Sequence, residues 1–463
     1  MDLFRKKTIE ASPVSHLKKD LKLKDLIMLG IGAIIGTGIF VVTGVASAVY
    51  AGPALILSFV LAAFVVILSG LSFAEFASRI PVLGGAYSYV YVVFGEFVAW
   101  LAGWFLLCEF MLAVSSVASG WSGYVQGFLT SIGVHLPKAL TAGYNPGEGT
   151  YIDLIAGLVI IFVTIWVSQE AKKALRLNNA MVWVKFGIIA LFIFFGVFFV
   201  KPSNWQPFMP FGFSGVFNGA ALVFFAFLGF DAVAMAAEEV ENPKKDVPRG
   251  IIGSIAIATL LYIVVTLILT GIVPFTELNV NDPVAFAMRY IDRGVVGSVS
   301  SVGAILTLLT VTISMMYSLA RLLYAISKDG LLPKSLQKID PKHKTPKKAT
   351  YAAGVVAFFF AAAFPLNILA ELTNIVALAY LILMSLGIIK LRKMMGMPKK
   401  GEFKVPLVPV LPLVSVASCL FLMTRLQTAT WIVFGITIVI GLLIYFIYGY
   451  RNSALNEENQ QEH

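Results

Sequence analysis

Three ionisable side chains stand inside apolar runs long enough to cross a bilayer. Lys185 lies in Ala180-Met181-Val182-Trp183-Val184-Lys185-Phe186-Gly187, Glu109 in Leu106-Leu107-Cys108-Glu109-Phe110, and Asp231 ends Val223-Phe224-Phe225-Ala226-Phe227-Leu228-Gly229-Phe230-Asp231. A desolvated ammonium can give up and retake a proton, and an acidic residue within a membrane segment is functional or helix-capping by default. A fourth segment, Gly30-Ile31-Gly32-Ala33-Ile34-Ile35-Gly36-Thr37-Gly38-Ile39-Phe40, places four glycines in nine positions. Dense glycine fits close helix packing, and it fits equally a break at Gly36-Thr37-Gly38. Freed N–H and C=O groups at such a break cannot face lipid, so they must line a polar cavity. The N-terminus of the half-helix that follows suits an anion such as a carboxylate. For Lys185 the ordinary alternative is snorkelling back to the interface.

The elements that position these residues follow from composition. Of 463 residues, 59% are hydrophobic and only 13% charged, about half the charge of an average soluble domain; mean hydropathy is +0.87. Disorder is excluded by this apolar, aromatic composition. A disulfide scaffold is excluded because Cys108 and Cys419 are the only cysteines and both lie in apolar runs. Four histidines, at 16, 135, 343 and 463, lie outside the apolar runs, which argues against a histidine relay or a Cys/His metal site. An all-α polytopic membrane protein remains.

Runs of about 20 apolar residues predict twelve spans at 26–50, 54–78, 96–129, 151–169, 181–200, 215–237, 251–273, 295–327, 349–364, 367–391, 407–424 and 430–450. With the N-terminus in the cytoplasm, the inner segments hold 28 of the 35 Lys and Arg and the outer segments five, so the positive-inside rule puts both termini in the cytoplasm. The net charge of +10 then faces anionic inner-leaflet lipid, and nucleic acid is not needed as a partner. Residues 1–25 lack an apolar core ahead of a small-residue cleavage site, so no cleavable signal peptide is expected. The tail 451–463 is polar. Residues 81–95 (PVLGGAYSYVYVVFG) are too short to span and predict an interfacial helix with tyrosines in the aromatic belt; Gly84-Gly85 lacks the Lys-Ser/Thr of a phosphate loop.

The glycine-rich break and Asp231 fall in the first and sixth spans. Five spans per repeat invert the second copy, so 26–200 and 215–391 read as two inverted five-span repeats, followed by two extra spans at 407–450. Interrupted helices at matching places in two halves point to a secondary transporter with its site near the midplane.

These residues resemble a known family. GIGAIIGTGIF at 30–40 looks like the first-helix motif of the amino acid–polyamine–organocation superfamily. FFAFLGFDAVAMAAEEVENPKKDVPRGI at 224–251 looks like its sixth helix and following loop. AEFASRIPVLGGAYSYVYVVFGE (74–96) resembles the loop after its second helix, SLARLLYAISKDGLLP (318–333) the end of its eighth and ELTNIVALAY (371–380) its tenth, in the right order. The nearest branch looks like the bacterial cationic amino acid transporters. The resemblance implies amino acid transport by alternating access on the five-plus-five, leucine-transporter-like fold with helices one and six broken.

It also implies roles. Gly36, Thr37 and Gly38 would supply donors to the substrate carboxylate, and carbonyls near Ile34, Phe225 and Ala226 would take its ammonium. Phe225 would close over the substrate, with plain packing the alternative. Leu228 and Met315 would line the side-chain pocket. In sodium-coupled relatives of this fold a cation bridges spans one, five and eight; Lys185 would put its ammonium there, so protons rather than sodium are expected as the coupling ion, with no cofactor and no metal. Oxygens near Ile31, Gly32, Thr312 and Ser314 are its expected neighbours. A Glu109–Lys185 ion pair or relay, bridged by Tyr262, is expected from their similar depth. Phe225, Asp231 and Glu371 are gate candidates, and Glu75–Arg79, Arg321–Asp329 and the cluster of Glu238, Glu239 and Glu241 with Lys244, Lys245 and Arg249 are interfacial charges.

Met315-Met316 would narrow the pocket, and no carboxylate in it stands out as partner for a basic side chain. Small to medium neutral amino acids are therefore favoured, with an exchanger or a cationic amino acid transporter as alternatives on the same fold, and a channel or sensor as a different class. No enzyme is expected: metal, nucleophile-elbow and nucleotide motifs are missing. The expected partners are the amino acid and the lipid bilayer of the cell membrane; a small membrane partner is left open without a candidate.

Overall fold

A computed structural model describes residues 3, 5, 21–80, 85–236 and 240–456, excepting the side chains of 85, 170–180 and 235. The described residues are helical almost throughout, with three isolated bridges in place of strands. Among the described residues eight helices are long and apolar enough to cross a membrane, and Leu154–Gln169 and Val410–Met423 are shorter apolar helices. The described residues of each of the twelve expected spans are largely helical.

The first span is interrupted. Helix α1 (Leu23–Ile34) ends where Ile35 turns extended at φ −74°, ψ 107°. After Gly36-Thr37 the chain resumes as a π-helical turn (Gly38–Val42), a short α2 (Thr43–Ala46) and a second π turn (Ser47–Ala51). The sixth span is interrupted too. Helix α7 (Gly212–Val223) tightens into a 3-10 turn at Phe224–Phe227, Leu228 is extended at ψ 141°, and α8 (Ala232–Met235) follows. Gly229 sits in this second break at φ +99°, with a Cβ position 3.0 Å from the Ala33 carbonyl oxygen. Only glycine takes that conformation without strain, and only glycine lets the two chains come so near.

The other helices form the frame. They are α3 (Leu55–Arg79), α4 (Gly85–Phe94), α5 (Glu96–Ser131), α6 (Leu154–Gly196), α9 (Pro243–Ile272), α10 (Pro283–Tyr290), α11 (Gly294–Lys328), α12 (Lys347–Ala363), α13 (Leu366–Met395), α14 (Val410–Met423), α15 (Thr428–Ile444) and α16 (Tyr450–Asn452). Helix α4 is the short helix expected before the third span; residues 81–84, with Gly84 of the Gly-Gly pair, lie outside the described residues, as do Glu238 and Glu239. Small residues let helices approach, as membrane packing requires: Gly303 seats Ile188, Gly354 seats Thr164 and Gly30 seats Ser254.

Two spans expected on either side of a loop, 151–169 and 181–200, share one unbroken helical assignment, α6. Its two ends nevertheless lie on the same side of the molecule. The Asp153 amide bonds the Ala362 carbonyl at the end of α12, and the Lys201 amide bonds the Gly271 carbonyl at the end of α9. Ser168, by contrast, accepts from Thr345 at the start of α12. The chain therefore reverses between Ser168 and Lys185, which gives the two antiparallel crossings that the sequence suggests without a non-helical loop.

Burial ranks the spans. In Gly212–Ala234 and Leu366–Met395, 72% of the most apolar window is buried, against 22% in Thr428–Asn456. The broken sixth span and the tenth are thus central, and the twelfth is peripheral.

Candidate functional site

The two breaks lie against each other. A Cβ on Gly38 would stand 2.3 Å from the Ala226 Cβ and 2.4 Å from its Cα, distances that real atoms never adopt. Gly36, Thr37, Gly38, Phe225, Ala226 and Leu228 are all buried here. Thr37 Oγ1 is buried and has no hydrogen-bond partner. Gly36 is looser, with Val311 of α11 3.6 Å from its Cβ position. Helix α11 also carries Met315, partly buried, and Met316, fully buried.

A broken helix leaves its last carbonyls without intrahelical donors, and side chains from four other helices donate to carbonyls of the two broken spans. The Tyr262 hydroxyl of α9 stands 2.6 Å from the Ala226 oxygen and 3.0 Å from the Ile34 oxygen, at the ends of the two first halves. Lys185 of α6 donates from Nζ to the Gly32 oxygen at 2.6 Å and is 1% exposed. The side chain is thus turned into the protein, and snorkelling does not describe it. Asn374 of α13 donates from Nδ2 to the Ala221 and Leu222 oxygens at 2.7 and 3.0 Å. Tyr124 of α5 donates to the Phe40 oxygen at 2.6 Å, in the second half of span one. Each carbonyl has two lone pairs, so those at Ile34 and Ala226 keep capacity for a further donor.

Three expectations need correction. Glu109 makes no hydrogen bond or ion pair with Lys185: it lines a cavity of about 10 Å³ with Leu228, Gly229, Asp231, Tyr380 and Leu381, and its Oε2 has no partner. Tyr262 accordingly bridges the two helix breaks rather than Glu109 and Lys185. Thr312 bonds the Leu308 carbonyl within its own helix, and Ser314 Oγ is buried without a partner, so neither hydroxyl reaches Lys185. The Glu109–Lys185 expectation rests on depth along a span, and that of Thr312 and Ser314 on which spans meet in the resembling family; neither says which way each helix is turned.

Glu371 of α13, 4% exposed, collects Thr430 Oγ1 at 2.8 Å, Gln427 Nε2 at 3.1 Å and the Tyr50 hydroxyl at 3.4 Å. On the opposite face Glu75 is fully buried, with Arg392 at 2.6 Å, Arg79 at 3.3 Å and the Val405 amide at 2.8 Å. Glu96 gathers Arg5 at 2.8 Å, Tyr445 at 3.0 Å, Tyr91 at 3.2 Å and the Ser453 hydroxyl. Tyr87 donates to Asp329 at 3.0 Å, Arg321 lies over the Tyr317 ring, and Lys244 pairs with Glu402 at 3.4 Å. In the loop between α11 and α12, the hydrogen bond from His343 holds the Asp340 carboxyl below its ordinary range. Among the described residues no group of His, Cys, Asp and Glu could hold a metal ion.

Asn374, Tyr380 and Tyr124 escaped the sequence reading. Their signal was present for Asn374: an amide inside an apolar span is costly unless it is bonded.

The arrangement is a pair of opposed helix breaks holding free backbone groups inside a membrane-sized helical frame. The family model described as amino acid permease matches residues 21–444. The chain belongs to the amino acid permease family. The methylthioribose transporter of Bacillus subtilis (strain 168) is 46% identical, over 98% of this chain and 99% of that protein. The branched-chain amino acid permease BcaP of the same organism is also 46% identical over the same shares. The human cationic amino acid transporter 4 is 29% identical over 99% of this chain and 91% of its own length. This permease is therefore a multi-pass membrane transporter of the amino acid–polyamine–organocation superfamily and not an enzyme.

Proposed function

We propose that this permease imports small to medium neutral amino acids, branched-chain ones foremost, together with protons. The carboxylate sits on the Gly36-Thr37-Gly38 amides at the start of the second half of span one, where the helix dipole favours an anion. The ammonium takes the free lone pairs of the Ile34 and Ala226 carbonyls, and Thr37 Oγ1 is a hydroxyl in want of a partner. The side chain points toward Leu228 and Met315. The name of the branched-chain relative supports this size class.

One observation carries the coupling: the Lys185 ammonium is hydrogen-bonded to Gly32, two residues before the Ile34 carbonyl that ends α1. A proton on Lys185 strengthens its donation to the Gly32 carbonyl and so holds the half-helix. Its loss removes the positive charge and weakens the hold, so the occupancy of one proton biases which way the broken helix stands. Both termini are cytoplasmic in this reading, which puts the proton's exit on the face where Glu75 and Glu96 lie.

A second reading has one observation in its favour. Glu109 and Asp231 share a cavity beside Leu228, so carboxylates do stand near the pocket, contrary to the sequence expectation. A basic side chain would find a counter-charge there. The cavity has room for about one water, which favours the neutral substrate.

The test is uptake of labelled leucine into empty proteoliposomes with an inward proton gradient, competed by all twenty amino acids and by methylthioribose. Gradient-driven uptake blocked by leucine, isoleucine and valine supports the proposal. Uptake indifferent to the gradient overturns the coupling; competition by arginine alone or by methylthioribose alone overturns the substrate class.

A further inference from the structure

Two residues of one buried turn of α13 hold the outer arms of both broken helices. Asn374, fully buried, grips the Ala221 and Leu222 carbonyls in the last turn of α7, just before the 3-10 turn that carries Phe225 and Ala226. Glu371, three residues earlier and so on the same helical face, accepts from Tyr50 in the π turn that ends the second half of span one. The same carboxylate takes Gln427 and Thr430 at the start of α15, which fixes its orientation from the outer frame. Asn374 Oδ1 has no partner, so its carboxamide is oriented by its two donor bonds to α7. Helix α13 is among the most buried spans.

We propose that Glu371 and Asn374 are positioning residues that fasten the second half of span one and the first half of span six to α13, so that the two arms leave and return together. Any movement of one arm away from α13 breaks the hydrogen bonds of its own member of the pair in a low-dielectric interior, where unpaired polar groups are costly. The arms also pack on each other, with the Gly215 Cβ position 2.2 Å from the Tyr50 oxygen. Loss of either grip is therefore felt by both arms. The two arms are coupled in this way whatever the cargo.

The test uses the full chain in liposomes with Cys108 and Cys419 replaced by serine. Spin labels at Val49→Cys and Phe213→Cys report the two arms, each paired with Ile132→Cys at the end of α5; all three positions are exposed. Asn374→Leu is expected to broaden or shift both label-pair distance distributions, and Glu371→Gln to do the same. A change confined to one arm, or no change in either, overturns the proposal. Should Asn374→Leu fail to fold, Glu371→Gln gives the same two readings. A functional readout accompanies it: the apparent KM for external substrate rises roughly tenfold in Asn374→Leu, as for the loss of a well-made hydrogen bond, while Vmax per folded protein stays within about twofold, and Asn374→Ser, which keeps one donor, recovers part of the loss. If the wild type carries no amino acid, the transport reading fails, and the distance measurements still decide the coupling of the arms.

Discussion

The Tyr262 hydroxyl stands 2.6 Å from the Ala226 carbonyl, and the same oxygen is 3.0 Å from the Ile34 carbonyl. One side chain from α9 thus touches the ends of both interrupted helices, and its aromatic ring packs against Phe59 and Phe227. Removing the hydroxyl leaves buried carbonyls short of a donor, which costs about 1–3 kcal/mol. Tyr262→Phe is expected to lower the melting temperature in detergent by a few degrees and to weaken substrate affinity more than the loss of stability explains. Unaltered affinity in the folded variant would remove Tyr262 from the site.

Lys185 gives the coupling prediction. Lys185→Ala is expected to lose uptake driven by an acid exterior while keeping some substrate binding, because the ammonium holds the Gly32 carbonyl and does not itself contact the expected substrate position. Exchange of labelled for unlabelled amino acid across equal pH should survive better than net uptake. Wild-type acid stimulation in this variant would refute the role.

Gly38 tests the backbone site. A side chain there meets the Ala226 Cα at 2.4 Å, and main-chain atoms cannot swing aside as a flexible side chain could. Gly38→Val should force the two breaks apart and weaken substrate binding by at least roughly tenfold, about 1.4 kcal/mol. Gly36, where Val311 leaves 3.6 Å, should accept alanine with a smaller loss. Equal tolerance at both positions, read by binding calorimetry, would argue against close apposition of the breaks.

Much of this was legible in the sequence because it depends on composition along one chain. The spans follow from apolar runs, and the breaks follow from Gly36-Thr37-Gly38 and from a glycine, Gly229, before an intramembrane acid. Lys185 and the Gly32 carbonyl could be paired because the family resemblance supplied which spans meet. What stayed hidden depends on helix rotation. Glu109 and Lys185 share a depth but face different neighbours, and the rotation of α5 turns Glu109 to Asp231 and Tyr380. Nothing local to Asn374 says that its amide will meet the end of α7, since the contact spans 153 residues of sequence. The two crossings at 151–169 and 181–200 were legible, but the helical course of the backbone between them, within Leu154–Gly196, was not.

Met315 carries the selectivity prediction. It lies on α11 and is partly buried, one residue before a fully buried Met316. Methionine fills irregular space and yields to different shapes, so Met315→Ser should open room at the side-chain end and admit larger substrates. In competition against labelled leucine, inhibition by phenylalanine and arginine should rise relative to alanine. An unchanged profile would take Met315 out of the selectivity argument.

Glu75 offers a stability test remote from the site. Its carboxylate is fully buried and paired with Arg392 at 2.6 Å and Arg79 at 3.3 Å, whose side chains are 9% and 4% exposed. It also accepts the Val405 amide, so it ties the end of α3 to the end of α13 and to the segment leading into α14. Deleting it strands the Arg392 guanidinium and leaves Arg79 the more distant carboxylate of Glu402, at 3.9 Å, in a setting that water barely reaches, and breaking a buried pair in this way costs about 3–5 kcal/mol. Glu75→Ala should therefore fail to accumulate or melt well below the wild type, while Glu75→Gln, which keeps an acceptor for Arg392 and for Val405, should lose less. Restoring neutrality with Glu75→Gln and Arg392→Gln together should recover part of the stability lost by Glu75→Gln alone. Additive losses in that double variant, measured by thermal unfolding in detergent, would show that the charges do not interact.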